Sequence, residues 1–204
     1  MRDLGKTGIK ITPVGLGIWQ FSQGKSFNRW IWKSLTAENQ NAIIQAALDG
    51  GINWFDTAEM YGFGRSERSL AEALKKAGKQ DDEVVVGTKW NPLFRTARSI
   101  PRTIEKRIKN LDGYTIDLYM VHQPFGFSSP ETEMHAMADL VEAGQVRSVG
   151  VSNFNPEQMR RAHAALEKRG FPLAVNQVEY SLLQRNIESN RVLETAKELG
   201  ITIV

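Results

Sequence analysis

Asp56, Tyr61, Lys89 and His122 lie at the ends of short apolar runs: Asp56 after INWF, Tyr61 five residues later, Lys89 after VVVGT, and His122 after DLYMV. A carboxylate, a phenol, an ammonium and an imidazole are the parts of a proton-transfer site. Lys89 is the sharpest anomaly, because the residues before it argue for a buried strand and a buried ammonium is costly unless paired. Asp56 ends the neighbouring apolar run, and adjacent strands lie about 4.8 Å apart, so the two side chains are expected to meet. A free phenol, with a pKa of about 10, is a weak acid at neutral pH. An ammonium beside Tyr61 is expected to lower that value while the carboxylate holds the ammonium charged, which would make Tyr61 a tuned general acid. His122 would then donate to a substrate carbonyl oxygen. The alternative is a structural ion pair for Asp56 and Lys89 and a packing role for His122; His135 and His163 sit within helical patterns and read as packing residues.

Such a site needs elements that bring distant residues together. Short β-rich runs occur at residues 14–16, 52–55, 84–86, 116–121, 146–151 and 174–178, with helical patterns between them. One helix carries Ile43, Ile44, Ala47 and Leu48 on a face, the next Leu70, Ala73 and Leu74, and the next Ile104, Ile108 and Leu111. Asn155-Pro156-Glu157 and Ser129-Pro130-Glu131 read as helix starts, and Gly50, Gly78, Gly144, Gly170 and Gly200 stand where helices should end. The positions at the strand ends, Gly17, Asp56, Lys89, His122, Ser152 and Gln177, advance by 39, 33, 33, 30 and 25 residues, one strand-helix unit per step. Alternation of this kind predicts a parallel sheet covered by helices, with right-handed crossovers. A (β/α)8 barrel takes about 250 residues, so about six units and the start of a seventh strand fit an incomplete TIM-type barrel whose strand ends converge on one face. The rival is an open doubly wound sheet; its G-x-G-x-x-G fingerprint fails at Gly15-x-Gly17, followed by Gln20, and at Gly62-x-Gly64, followed by Glu67.

No linker interrupts the 204 residues, so a single domain over 1–204 is expected. The absence of cysteine excludes a disulfide framework and any thiolate metal site or thiol nucleophile. Nothing in the opening MRDLGKTGIKI resembles a signal peptide and no run approaches a membrane span, so a cytoplasmic location is expected. The net charge of +3 owes much to Arg95, Arg98, Arg102, Lys106, Arg107 and Lys109, which read as a solvated helix face. No nucleic-acid-binding motif accompanies them, and neither nucleic acid nor membrane is an expected partner. A metal-dependent barrel hydrolase would need several more histidines or carboxylates at the mouth, so no metal is expected.

The segments GLGIWQ at 15–20, GINWFDTAEMYGFGRSE at 51–67, VVVGTKW at 84–90, DLYMVHQP at 117–124, GQVRSVGVSNF at 144–154 and NQVEYSLL at 176–183 together resemble the aldo-keto reductase superfamily. The resemblance implies a (β/α)8 barrel preceded by a small β-hairpin, here RDLGKTGIKITPVGLG. It implies that Asp56, Tyr61, Lys89 and His122 form a catalytic tetrad, and that a hydride passes from NADPH, or NADH, to an aldehyde or ketone while Tyr61 protonates the oxygen. Ser152, Asn153 and Gln177 match residues that hydrogen-bond the nicotinamide carboxamide; Trp19 and Gln20, with Asp56, match the surroundings of cofactor and substrate. The family's stacking aromatic and its phosphate-binding loops follow the seventh and eighth strands, beyond Val204. A non-catalytic or regulatory nicotinamide-binding protein on the same scaffold is therefore the alternative. Unclosed barrel edges would favour self-association. Residues 22–34, with Phe27, Trp30 and Trp32, read either as a lid or substrate wall beside the mouth or as aromatics packing a long loop onto the barrel.

Overall fold

The computed structural model describes residues 1–22 and 35–204, so the aromatic segment with Phe27, Trp30 and Trp32 lies outside the described residues. An antiparallel hairpin, β1 (Arg2–Asp3) and β2 (Lys10–Ile11), precedes a parallel sheet of seven strands. These are β3 (Leu16–Gly17), β4 (Trp54–Asp56), β5 (Val85–Trp90), β6 (Leu118–Val121), β7 (Val149–Ser152), β8 (Leu173–Gln177) and β9 (Thr202–Ile203), paired in chain order. Between them run α1 (Ala37–Asp49), α2 (Arg65–Lys76), α3 (Ile100–Leu111), α4 (Pro130–Glu142), α5 (Pro156–Glu167) and α6 (Val192–Leu199).

The sheet curls, and the hairpin documents it. Asn53, just before β4, donates from Nδ2 to the Lys10 carbonyl (2.9 Å), while Gly5 N donates to Thr202 Oγ1 of β9 (2.8 Å). One small hairpin therefore reaches two strands separated by four others in the sheet order. Leu4, Ile9 and Ile11 of the hairpin pack with Trp54, Val85, Leu118, Met120 and Val175 into an inner core at the N-terminal ends of the strands. The larger core lies outside the sheet, where Phe55, Val86, Tyr119, Val121, Val149 and Val151 meet the helices.

Helix starts follow local chemistry. Asn155 Oδ1 accepts from Gln158 N (2.9 Å) and Gln158 Oε1 from Asn155 N (3.0 Å), a reciprocal cap that satisfies two otherwise unpaired donors. Ser129 Oγ caps α4 through Thr132 N. At the other ends most strands begin one to three residues later than the apolar runs suggested, β8 one residue earlier, and a recurring helix stop precedes several of them. Ile52 N bonds the Ala47 carbonyl, Gln145 N that of Leu140, Phe171 N that of Leu166 and Ile201 N that of Ala196, each closing the preceding helix across a left-handed glycine. The apolar residue after such a glycine belongs to the helix stop. For α1 the left-handed residue is Gly51 (φ 80°); Gly50 has φ −75°.

α3 departs from its expected face. Ile100, Ile104, Arg107 and Leu111 point inward, and Ile108 is exposed. Arg98, Arg102, Lys106 and Lys109 do form a solvated surface, but Arg107 is 1% exposed and does not belong to it. Spacings of four, three and four follow the helical period as well as the expected set did, so period alone could not choose between neighbours.

Candidate active site

Alternation along the strands assembles the cluster. In a strand successive side chains take opposite faces, so Trp54 and Asp56, then Val85, Gly87 and Lys89, then Leu118 and Met120, and finally Val175 and Gln177 share the inner face. The apolar members fill the lower core. Asp56, Lys89, Ser152 and Gln177 stand at the C-terminal strand ends, with His122 immediately after β6. Tyr61 arrives from the loop between β4 and α2, a loop hung on β5 by Thr57 N to the Gly87 carbonyl (2.9 Å) and Glu59 N to the Lys89 carbonyl (3.1 Å).

Lys89 is buried to 1% exposure and all three of its N–H donors are placed: on Asp56 Oδ1 (2.7 Å), Asp56 Oδ2 (2.6 Å) and the Thr57 carbonyl (2.8 Å). Its ammonium sits 5.3 Å from the centre of the Tyr61 ring. The Tyr61 and His122 rings meet edge to face, centroids 5.6 Å apart and planes at 81°. The cluster is thus one packed unit of ammonium, carboxylate, phenol and imidazole.

Its electrostatics differ from the sequence reading in one respect. Burial, and then the Asp56 carboxylate, push the Tyr61 phenol above its ordinary value instead of below it. Burial is the larger cause; the Asp56 carboxylate adds to it, while every Nζ hydrogen of Lys89 is held by Asp56 and Thr57 and the ammonium meets only the ring of Tyr61. Burial draws Lys89 itself downward against the upward pull of Asp56. His122 is drawn down to about 4 by burial and by the Lys89 charge, so it is a neutral imidazole at pH 7, and its Nδ1 is buried with no hydrogen-bond partner.

Asp56, Tyr61, His122, Ser152 and Gln177 line an open cleft of about 360 Å³ together with Gln123, Asn153, Val178, Glu179 and Val204. Asn153 takes a left-handed backbone (φ 58°), one of the few non-glycine types that does so readily, and its N–H bonds the Gln177 carbonyl (2.8 Å). Its Nδ2 donates to Gln123 Oε1 (3.3 Å) and Ser152 Oγ (3.2 Å), and Gln177 Nε2 donates to Asp56 Oδ2 (3.2 Å). A hydroxyl and three carboxamides beside one cleft suit a planar group that carries both an amide donor and an amide acceptor. Trp19 and Gln20 lie in a 3-10 turn (Trp19–Ser22) after β3 and are not among the residues lining this cleft.

Three groups escaped the sequence reading. Gln123 directly follows His122, and its place beside a strand-end histidine was the available signal. Glu59 and Glu67 flank Tyr61 and engage Arg107, an arrangement that no local pattern announces. Among the described residues no cluster of three or more His, Asp or Glu side chains is arranged to hold a metal ion, and no helix is long and apolar enough to cross a membrane.

The loop after β6 rests on a second unusual acid. Glu133 of α4 is 2% exposed, its carboxyl lies against Gly126, and burial alone raises it to about 8. A carboxyl that binds its proton more tightly when folded destabilises the fold as pH rises from its unfolded value, near 4.5, through about 8. Glu133→Gln is therefore expected to be more stable than the parent at pH 9, by on the order of 2–3 kcal/mol, and nearly equal at pH 5. Urea unfolding at the two pH values reads this difference; an equal effect at both would show that Glu133 is not the titrating group.

A family model described as the Aldo/keto reductase family matches residues 13–204. The chain is 37% identical over 208 residues to the aldo-keto reductase YhdN of Bacillus subtilis, covering 98% of this chain and 59% of that protein. It is 30% identical to a 6-dehydroglucose reductase of Novosphingobium aromaticivorans (98% of this chain, 66% of the relative) and 32% identical to the chloroplastic pyridoxal reductase of Arabidopsis thaliana (96% and 56%). Among solved structures it resembles the thermostable aldo-keto reductase Tm1743 in complex with the inhibitor epalrestat, at a TM-score of 0.82 and 29% identity over 99% of this chain and 70% of that one. It is also similar to the glycerol dehydrogenase AKR11B4 of Gluconobacter oxydans (TM-score 0.80, 28% identity, 98% and 61%). The chain thus spans between 56% and 66% of the length of these three curated relatives.

Proposed function

Because the chain belongs to the aldo/keto reductase family, we propose that it carries the acid–base centre of a nicotinamide-dependent carbonyl reductase on an incomplete (β/α)8 barrel, with NADPH as the favoured cofactor and aldehydes or ketones as substrates. The observation that carries this reading is the closed set of Lys89 contacts beneath Tyr61, with Tyr61 and His122 edge to face beside an amide-lined cleft. Ser152, Asn153 and Gln177 would hold the carboxamide, and the bound nicotinamide would supply the hydride. His122, neutral, orients the carbonyl oxygen by hydrogen bonding. Tyr61 keeps its proton through neutral pH and releases it to that oxygen as negative charge develops there. Asp56 fixes Lys89, and Lys89 makes the resulting phenolate tolerable in a buried site.

A second reading, a nicotinamide-binding protein without turnover on the same scaffold, needs only the amide-lined cleft. The same preparation tests both. NADPH fluorescence is titrated, then cofactor oxidation is followed on a panel of aldehydes and ketones. Binding with turnover supports the reductase, binding without turnover supports the binder, and the absence of both overturns the two readings. The proposal also includes association through β3 and β9, each with one side unpaired among the described strands; sedimentation should give a species above 22.9 kDa, and a dilute monomer would remove that part.

A further inference from the structure

The loop that carries Tyr61 is gripped from outside the cleft. Thr88 precedes Lys89 and points to the opposite face of β5, where its Oγ1 donates to Glu67 Oε1 (2.7 Å). Glu67, in the first turn of α2, is fully buried, and its Oε2 accepts from Asn110 Nδ2 (2.7 Å) and lies 3.3 Å from Arg107 Nε. Arg107 Nη1 is 3.8 Å from Glu59 Oε1, which also accepts from Arg95 Nη1 (2.8 Å), while Glu59 Oε2 accepts from Asn91 N (3.1 Å). Glu59 stands two residues before Tyr61 and Glu67 six after it. Between them Gly64 has φ 86°, and a Cβ there would strike the Asn110 amide and come within 3.3 Å of Arg107 Nη2.

A buried guanidinium thus spans the two carboxylates that bracket the Tyr61 loop. Buried charge of this kind is weak evidence for stability, because a well-packed apolar substitute often does as well. Arg107 Nε and Nη1 make no hydrogen bond of good geometry, so the attraction is ionic and acts on both carboxylates at once. What the arrangement does supply is a fixed distance between the loop's two ends, behind the strand that delivers Lys89.

Resting on Tyr61 as the proton donor, we propose that Arg107 is a positioning residue for the reaction: with Glu59 and Glu67 it sets where the Tyr61 phenol stands relative to Lys89 and His122, without touching substrate or cofactor. A misplacement of about 1 Å in a reacting group costs on the order of 100-fold in rate. Arg107→Met should therefore lower kcat by about 10- to 100-fold while the KM for NADPH stays within about twofold, and Arg107→Lys should recover part of the loss.

The deciding readout does not need turnover. In protein labelled with 13C at tyrosine Cζ, assigned with Tyr61→Phe, the Tyr61 resonance should shift or broaden in Arg107→Met while that of Tyr180, an exposed tyrosine hydrogen-bonded to Glu188, stays in place. Glu59→Gln keeps the Arg107 and Glu67 pair but removes the charge through which Arg107, and Arg95 with it, hold the start of the loop, so it serves if Arg107→Met does not fold; it should move the same resonance in the same direction. An unmoved Tyr61 resonance in a folded variant overturns the proposal, as does a rate loss matched by an equal rise in KM. If the parent shows no turnover at all, the reductase reading fails and the resonance still decides the role of Arg107.

Discussion

Tyr61→Phe should lower carbonyl-reducing turnover by about 10²- to 10⁴-fold, the usual worth of a positioned general acid, and leave the fold and NADPH binding in place. The variant removes one oxygen and keeps the ring that packs edge to face on His122 and lies beside the Lys89 ammonium. The change is therefore confined to the proton. Burial and Asp56 hold the phenol above its ordinary value, so the donor form persists across the whole neutral and mildly alkaline range. Reduction should accordingly keep its rate to at least about pH 9, since the unperturbed phenol already has a pKa of about 10. Circular dichroism and NADPH fluorescence of the variant check the fold and binding; steady-state rates at saturating carbonyl check the proton. Turnover equal to the parent's would remove Tyr61 from the mechanism and direct attention to His122. Loss of cofactor binding would instead assign the Tyr61 hydroxyl a part in holding the cofactor.

How far this site could be read from sequence differs from residue to residue. Asp56 and Lys89 were legible because each breaks an apolar strand with a charge, and only an ion pair makes that tolerable. The ladder then brings them together: Asp56 sits opposite Gly87, two residues short of Lys89 on the same face. The parallel order of strands followed from regular spacing of strand ends, and the seven strands pair in sequence. Strand starts were less legible, since Ile52 looks like a strand residue but closes α1 after Gly51. The direction of the Tyr61 shift escaped because it is set first by how deeply the phenol is buried and then by the nearness of the Asp56 carboxylate, which no spacing encodes. Arg107 escaped for a related reason. Its neighbour Ile108 is the apolar choice for an inward position, yet the inward side of α3 there faces Glu67 and Glu59, both acids from a different segment. A residue's partner can overrule its polarity, and partners distant in sequence are the part of a fold that a local pattern does not hold.

The second large effect concerns the ion pair at the centre. Lys89→Met keeps the length of the side chain and removes its charge, leaving the Asp56 carboxylate in a largely buried place with Gln177 Nε2, at 3.2 Å, as its remaining side-chain donor. Breaking a buried pair from one side typically costs about 3–5 kcal/mol, because the surviving charge is uncompensated. The Thr57 carbonyl also loses the donor that anchors the start of the Tyr61 loop. Adding Asp56→Asn removes the orphaned charge and should return a substantial part of the loss, making the two substitutions strongly non-additive. Urea denaturation of the parent, both single variants and the double variant at pH 8 measures the coupling directly. Additive effects of the two substitutions would mean that Lys89 and Asp56 do not depend on each other.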